Sequence, residues 1–446
     1  MLEIPSHEAL VAELAELVAI PSISADPERA ADLNKAAAWV AERIRDAGGT
    51  VDIQERNGRP LVIGEVAAST GTDAPTVIAY AHLDVQPADP LELWDSDPWA
   101  LVERDGKLFA RGVADDKAHL FMLLKATELL AGAAELPVNV RFAIDAEEEV
   151  GGHSVIDWVE EDGRLADVAL VLDGGYATEV LPSFCTALRG LCYFHLTVRT
   201  GERDLHSGMF GGAALNALHA LMQILDAVLA GPDGRVPEPM RAGIIEPTER
   251  ELAGWSALRT GVEELAEAGA RPMDNGAPTD FWIRTTSEPT AEVNGIAGGS
   301  PILQKTVLPV KAQANLSVRL APGQTAGEIG PVVERLLREA TPAGAELVIE
   351  PLSSGEPGWV DPDGAAIRLA SDAFESVLGT RPILARTGGS IPVVAAFSAK
   401  GIPSVVTGVA RPSAQVHSPN ENIPAAALRD GVATVVETFR RFAELG

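Results

Sequence analysis

The sequence predicts an α/β domain in two separate pieces, with an α+β domain inserted between them. Three observations predict this fold. A chain of 446 residues is too long for one ordinary core. Apolar strands alternate with helices in the first third and again near the end, as in βαβ units that build a mostly parallel sheet. Between these pieces the pattern changes, so we assign residues 1–186 and 361–446 to the outer domain and residues 187–360 to the inserted one.

The elements of the outer domain follow from turn residues and apolar runs. Asp26 and Pro27 begin a helix that Gly48 and Gly49 end. Further along, the predicted elements are a strand at 76–84, a helix at 118–132, and strands at 138–149, 167–175 and 402–410. The last predicted helix aligns five apolar side chains on one face, namely Leu428, Val432, Val435, Val436 and Phe439.

The inserted domain is predicted to contain strands at 191–199 and 310–322. A long helix is predicted between them, at 213–229, because apolar side chains recur there at helical spacing: Leu215, Leu218, Met222, Leu225 and Leu229. Residues 353–364 are expected to form a turn-rich linker back to the outer domain.

Composition and charge exclude several classes of protein. The formal net charge of -29 disfavours binding to nucleic acid or to an anionic membrane, because both depend on clustered Lys and Arg. The chain has no run of about 18 apolar residues, and its acidic start lacks the basic and apolar regions of a signal peptide. The two cysteines, Cys185 and Cys192, are expected to be reduced thiols, which fits the cytoplasm.

Polar residues follow the apolar strands at their carboxyl ends. The residues concerned are His82 and Asp84, then Glu148 and Glu149, then Asp173, and finally His417 in the loop after the last strand. Asp115 lies just ahead of a predicted helix. Ligands bind in the crevice outside the carboxyl ends of the strands of an open parallel sheet, so these side chains are expected to converge there.

The residue types in this set are those of a metal site. Two imidazoles and three carboxylates without cysteine suit Zn²⁺, Mn²⁺ or Co²⁺ rather than an ion that prefers thiolates. Two divalent ions carry four positive charges. The carboxylates supply three negative charges, from Asp115, Glu149 and Asp173, which leaves room for one bound hydroxide. A single ion would be over-neutralised, and without any ion the carboxylates would repel one another.

Each residue also has an ordinary structural explanation. A single histidine after a strand is commonly a surface or core residue, and residues 147–149 would usually form a solvated acidic turn. Asp115 and Asp116, ahead of a helix, would commonly cap it and interact favourably with its dipole. From spacing alone, both explanations remain open.

Six ordered motifs resemble those of the M20 metallopeptidase family, and within it the branch of carnosinases and non-specific dipeptidases. They are AHLDVQP (81–87), ARGVADDK (110–117), EEEVGG (147–152), DLHSGMFGG (204–212), RTGGSIP (386–392) and VHSPNE (416–421). The resemblance spans nearly the whole chain. It implies that His82 and Asp173 bind one ion, that Glu149 and His417 bind the other, and that Asp115 bridges the two.

The resemblance also implies roles for two further carboxylates. Asp84, two residues beyond His82, would orient that imidazole and raise its basicity. Glu148 would be the general base, because Gly151 in the EE-x-G frame assigns Glu148 to the base and Glu149 to the metal. Glu147 is then left without a role.

The inserted domain, by the same resemblance, is a lid that also forms a homodimer. His206 would reach a neighbouring subunit's site and stabilise the oxyanion, and Arg319 would bind the substrate carboxylate. Gly388, Gly389 and Ser390 resemble the loop whose backbone amides assist Arg319 in binding that carboxylate. Asn294 stands where related enzymes often carry His, and Ala118 replaces a glycine that often follows the DDK motif.

The expected activity is hydrolysis of the peptide bond of dipeptides or short peptides by water activated at two divalent ions. Zn²⁺ is the expected metal, with Mn²⁺ or Co²⁺ as alternatives. Deacylation of N-acyl amino acids and a non-catalytic scaffold are the alternative functions. Asp173 favours the dipeptidase, because the deacylases commonly carry Glu there. Asp116 is expected to cap or brace the site. No ligand role is expected for the histidines that have no ligand motif around them, namely His119, His153, His195 and His219.

Overall fold

The protein is described by a computed structural model that covers residues 2–71, 73–389 and 391–445. In this part of the chain the α-helices are α1 (His7–Val18), α2 (Ala30–Asp46), α3 (Lys117–Gly132), α4 (Ser154–Glu161), α5 (Ser207–Phe210), α6 (Ala217–Asp226), α7 (Glu249–Trp255), α8 (Gly261–Glu267), α9 (Phe281–Thr286), α10 (Ala326–Glu339), α11 (Ala365–Leu378), α12 (Pro392–Ala399) and α13 (Ala425–Phe442). None of these described helices is long and apolar enough to cross a bilayer.

The strands of the same residues fall into four sheets. They are β1 (Thr50–Arg56), β2 (Arg59–Val66), β3 (Thr76–His82), β4 (Val102–Arg104), β5 (Lys107–Phe109), β6 (Asn139–Asp145), β7 (Val168–Leu172), β8 (Ser183–Leu188), β9 (Gly190–Arg199), β10 (Leu205–His206), β11 (Thr290–Ala297), β12 (Val307–Leu308), β13 (Lys311–Leu320), β14 (Glu346–Gly355), β15 (Gly358–Trp359), β16 (Ile383–Thr387), β17 (Ser404–Thr407) and β18 (Asn422–Pro424).

The chain divides into two compact units. The first contains the residues up to Thr186, Val360–Ala385 and the residues from Ala396 onward, and the second contains Ala187–Trp359 and Arg386–Ala395. The stretch Arg386–Ala395 departs from the domain boundaries drawn on the sequence. It packs with the second unit because the buried Arg386 guanidinium forms an ion pair with Glu251, with Nε and Oε1 2.9 Å apart.

The first unit is built on a mixed sheet with the strand order β1-β2-β6-β3-β7-β17-β8. The four central strands, β6, β3, β7 and β17, pair in parallel, and the pairs on either side are antiparallel. Every residue of β7 is buried, as is all of β3 after its first residue, so apolar side chains cover both faces of the sheet there. The predicted α/β class is therefore confirmed, and the parallel strands direct their carboxyl ends to one edge.

The last helix of the first unit, α13, has the predicted apolar face. All five side chains that the sequence aligns, from Leu428 to Phe439, are buried. The helix packs against α3 and α11. Periodicity predicts this helix well because its opposite face carries charged residues, among them Arg429, Asp430 and Glu437.

The second unit contains an antiparallel sheet in the order β11-β13-β9-β14, with α6 and α10 packed on it. Alternate residues of β9 and β13 are buried, which gives one apolar face for the helices and one polar face. The linker predicted at 353–364 is only partly correct, because residues 353–355 extend β14 and pair with β9.

Helix α6 is shorter than predicted, and one of the five aligned apolar side chains is exposed. It begins after Asn216, whose side chain accepts a hydrogen bond from the backbone N–H of Leu218, and it ends at Asp226. Met222 is 56% exposed, whereas Leu225 is buried. The other three aligned side chains pack against the core of the second unit, namely Leu215, Leu218 and Leu229. The fully buried residues of the helix are Ala217, Ala220, Leu221, Ile224 and Leu225.

Candidate metal centre

His82 is the last residue of β3, and its imidazole is fully buried. Its Nδ1 lies 3.0 Å from the backbone oxygen of Asp84 and 3.4 Å from Asp84 Oδ1. The other carboxylate oxygen of Asp84 accepts a hydrogen bond of 3.2 Å from the backbone N–H of Glu149. Because Nδ1 faces these oxygens, Nε2 is the ring nitrogen that can bind a metal ion.

The carboxylate of Asp115, just ahead of α3, faces two different histidines. Its Oδ1 lies 2.9 Å from His82 Nε2, and its Oδ2 lies 2.9 Å from His417 Nε2. Burial alone would raise the pKa of Asp115. The hydrogen bonds from His417 and His82 outweigh burial and hold that pKa well below its usual range. One carboxylate therefore connects two separate groups of donor atoms.

These groups each contain three side chains whose donor atoms lie within 4.8 Å of one another: His82, Asp116 and Asp173 in one, and Asp115, Glu149 and His417 in the other. His82 Nε2 is 3.9 Å from Asp173 Oδ1. His417 Nε2 is 3.1 Å from Glu149 Oε2. All five ligands predicted from the sequence thus lie together in the first unit.

Local backbone geometry places the ligands that follow the strands. Glu149 lies in a short 3₁₀ turn, Glu148–Val150, that follows β6 and ends at Gly151 in the left-handed conformation, with φ at 66°. Asp173 comes directly after β7. His417 itself has a positive φ of 61°, which is uncommon for a residue other than glycine.

The chemistry of these residues fits divalent cations. The donors are imidazole nitrogens and carboxylate oxygens, a set that suits Zn²⁺, Mn²⁺ or Co²⁺. Among the described residues, the buried Oε1 of Glu149 has no hydrogen-bond partner, so one oxygen is left for an ion. Hydrogen bonds to Asp115 and Glu149 raise the pKa of His417 to about 10, which shows that the position favours positive charge.

Glu148 lies beside this cluster and is half-buried. Burial raises the pKa of its carboxyl group above the ordinary value, the charge of His82 opposes that rise, and the negative charges of Asp115 and Glu149 add to it. A carboxyl group with a raised pKa is suited to accept a proton and give it back.

Asp116 braces the site through hydrogen bonds. Its Oδ2 accepts a bond of 3.0 Å from the backbone N–H of His82, and its Oδ1 accepts one from His119 Nδ1. His119 Nε2 in turn accepts a bond of 2.7 Å from the backbone N–H of Val409. Burial lowers the pKa of His119 to about 4, so the neutral ring donates from Nδ1. This chain joins the end of β3 to the loop after β17.

Two other acids have structural roles that sequence reasoning missed. Glu147 is buried, and its Oε1 accepts a hydrogen bond of 2.6 Å from the backbone N–H of Ser154, at the start of α4. Glu421, in the motif that contains His417, is fully buried and pairs with Arg111. Its place within a recognised motif was the available signal, but the sequence does not reveal which groups it contacts.

The second unit carries the other predicted site residues. His206 ends β10 and is exposed, and its Nδ1 accepts a hydrogen bond of 3.1 Å from the backbone N–H of Gly208. The neutral ring therefore presents Nε2–H as a donor. Arg319 lies near the end of β13, half-buried, opposite Thr290 of β11.

The glycine loop of the second unit is tightly packed. A Cβ on Gly388 would lie 2.7 Å from the backbone oxygen of Thr285, so a larger residue does not fit without movement. The backbone oxygen of Gly389 accepts a hydrogen bond of 3.2 Å from the backbone N–H of Arg189. Ser390, predicted to belong to the same loop, lies outside the described residues.

Comparison with known proteins identifies the family. Residues 78–441 match the model of peptidase family M20/M25/M40. The chain is 29% identical over 435 residues to the cysteinylglycine-S-conjugate dipeptidase of Corynebacterium striatum, covering 94% of this chain and 92% of that protein. It is 28% identical over 421 residues to the human Beta-Ala-His dipeptidase, covering 88% and 81%.

Among solved structures, an M20 family metallo-carboxypeptidase from Sulfolobus solfataricus is 26% identical, with a TM-score of 0.80 and coverage of 98% of this chain and 99% of that one. The family match spans most of the chain, including both groups of candidate ligands. The chain therefore belongs to peptidase family M20/M25/M40 and is a metallopeptidase.

Proposed function

We propose that this protein hydrolyses the peptide bond of dipeptides at a pair of divalent ions. The observation that carries the proposal is the carboxylate of Asp115, whose two oxygens each lie 2.9 Å from a different histidine. His82 and Asp173 would hold one ion, Glu149 and His417 the other, and Asp115 would bridge them. Zn²⁺ is the metal we expect, and Mn²⁺ or Co²⁺ would suit the same donors.

The protein's own residues account for the proton transfers. A bound metal pair supplies an acidified water and an electrophile for the peptide carbonyl. Glu148 takes a proton from the attacking water and returns it to the nitrogen of the leaving amine. Asp84 orients the His82 imidazole, which its two contacts with Nδ1 support.

Residues of the second unit complete the proposed site, with this unit as the lid and the first unit as the catalytic domain. His206 donates a hydrogen bond to the developing oxyanion, a role that its Nε2–H donor supports. Arg319 binds the substrate's terminal carboxylate. The backbone amides of the glycine loop assist in that binding, at Gly388, Gly389 and Ser390. The lid also forms a homodimer in this proposal, and the protein acts in the cytoplasm.

The names of the relatives support a dipeptide substrate. One relative is named for a cysteinylglycine conjugate and another for Beta-Ala-His, and each name describes two linked residues. Deacylation of N-acyl amino acids is the alternative. An assay of the metal-stripped protein, reloaded with one metal at a time, against dipeptides, longer peptides and N-acyl amino acids separates these activities. Cleavage of N-acyl amino acids with no cleavage of dipeptides would refute the dipeptidase proposal.

The general base is tested with Glu148→Gln, which keeps the shape of the side chain but cannot accept the proton. We expect turnover to fall by about 10² to 10⁴-fold, the usual contribution of a general base. Both metal ions should still bind, as measured by metal content after dialysis. The matched control is Glu160→Gln, at an exposed position on α4.

Near-native turnover of Glu148→Gln would show that another group is the base. Absence of turnover in the metal-loaded wild type, with every substrate class, would instead support a non-catalytic scaffold.

A further inference from the structure

A buried ion pair between Arg111 and Glu421 lies within the first unit. Arg111 Nη1 is 2.7 Å from Glu421 Oε2, and the two side chains are 1% and 0% exposed. The guanidinium also lies over the ring of Trp94, at 5.5 Å from its centroid. Its Nη2 donates a hydrogen bond of 3.2 Å to the backbone oxygen of Pro87. Two charges so deeply buried need several partners to offset their desolvation.

Glu421 finds those partners in the backbone that leads to Asp115. Its Oε1 accepts hydrogen bonds from the N–H groups of Ala114, at 2.8 Å, and Asp115, at 3.1 Å. Its Oε2 accepts a third backbone bond, of 3.0 Å, from Gly112. Hydrogen bonds to a charged acceptor are about twice as strong as those between neutral groups. One carboxylate therefore fixes the backbone of the proposed bridging ligand.

The ion pair also joins three loops that carry candidate ligands. Pro87 lies in the loop that follows His82, and Arg111 lies in the loop that leads to Asp115. Glu421 itself lies in the loop that contains His417. A displacement of the pair would change the distances among all three ligands, although neither of its residues is a ligand.

We propose that Arg111 and Glu421 position the bridging carboxylate of Asp115 and so set the affinity of the site for divalent ions. This inference rests on the proposed metal centre. They are positioning residues, because both act through the backbone and neither touches the reacting atoms. A purely structural ion pair would change the stability of the fold and leave the metal affinity of the folded protein unchanged.

The test is Glu421→Gln in the full-length protein. The amide oxygen of glutamine still accepts bonds from Ala114 and Asp115, but its NH₂ group then faces Arg111 and the N–H of Gly112, donor against donor. We expect affinity for Zn²⁺, measured by competition with a chromogenic chelator, to fall by about 10 to 100-fold, as for other groups that orient metal ligands. Turnover of the Glu421→Gln variant should be low at subsaturating Zn²⁺ and should recover when Zn²⁺ is added in excess.

The matched control is Glu251→Gln. Glu251 forms a buried ion pair with Arg386 in the second unit, with both side chains 0% exposed, and it also accepts backbone and hydroxyl hydrogen bonds from Thr248. We expect the Tm of the Glu251→Gln variant, measured in chelator, to fall with no change in its Zn²⁺ affinity. If Glu421→Gln does not fold, Arg111→Lys replaces it, because the Lys ammonium cannot reach both Glu421 and Pro87 in the same geometry.

The outcomes are distinct. A lower Tm with wild-type Zn²⁺ affinity in Glu421→Gln or Arg111→Lys would overturn the inference and leave the ion pair a structural one. A wild type that binds Zn²⁺ but hydrolyses no peptide would refute the proposed function alone, since the affinity measurement still decides the role of the pair. A wild type that binds no divalent ion would overturn both.

Discussion

Asp145 ends β6 and is almost fully buried, with its Oδ1 accepting hydrogen bonds from the backbone N–H groups of Ala146 and Glu147. Burial, with the nearby charge of Asp84, raises its pKa to about 7. An acid with a raised pKa in the folded state binds a proton there that the unfolded chain has released. Its ionisation therefore costs stability progressively from about pH 4 to pH 7, and the full cost is present above pH 7.

Asp145→Asn should remove this cost, because an amide oxygen accepts the same two backbone hydrogen bonds. In metal-stripped protein at pH 8, we expect the free energy of unfolding to rise by roughly 2 to 4 kcal/mol. The gain should shrink as pH falls below 7, to roughly a quarter of its full value at about pH 4.5. Urea unfolding in chelator at both pH values measures it, with Asp46→Asn, an exposed carboxylate, as the control. An equal gain at both pH values would contradict the assigned pKa.

The convergence of five polar side chains in the first unit could be predicted because each follows a strand or precedes a helix of a parallel sheet. The residues that fix the positions of these side chains could not be predicted. Asp116, His119 and Glu421 act through hydrogen bonds to backbone atoms of distant loops, and the spacing of residues along the chain does not encode such contacts. His119 even lay outside any recognised ligand pattern, and its role is visible only from its two ring contacts.

Helix α6 shows where periodicity fails at the scale of an element. Apolar residues occur on more than one side of this segment, so two different faces satisfy helical spacing. The helix packs on the sheet formed by β9 and β13 with Leu221, Ile224 and Leu225 buried, and Met222 is left exposed. The helix also begins later than predicted, because Asn216 caps it three residues after the predicted start.

The cap at Asn216 provides a test at this scale. Its Oδ1 accepts a hydrogen bond of 2.9 Å from the backbone N–H of Leu218. Asn216→Ala removes that acceptor, and we expect the free energy of unfolding to fall by about 1 kcal/mol. Asn216→Asp keeps the acceptor and should stay close to the wild type. Denaturant unfolding monitored by circular dichroism measures both, and equal stability of the Ala variant and the wild type would show that the cap contributes nothing.

At the scale of the whole molecule, the alternation of strands and helices predicts two domains, one divided in sequence. The structure divides into two compact units, and Arg386–Ala395 belongs to the second. There the Arg386 guanidinium pairs with Glu251 and donates hydrogen bonds to the backbone oxygens of Ile245 and Glu246. Apolar patterning does not record a contact between charged side chains far apart in the chain. The same division means that the candidate ligands and the proposed lid residues belong to different units.

That separation allows a test of whether the proposed site is shared between two chains. If His206 acts on a neighbouring subunit, a homodimer of His206→Ala lacks the oxyanion donor in both sites, and a homodimer of Glu148→Gln lacks the base in both. Mixing the two inactive variants creates hybrid dimers in which one site has both groups intact. With complete exchange, half of the dimers are hybrids, and we expect turnover to recover to about a quarter of the wild-type value per subunit. Subunit exchange is measured in parallel with differently labelled chains, and exchange without recovery of turnover would show that His206 does not act across subunits.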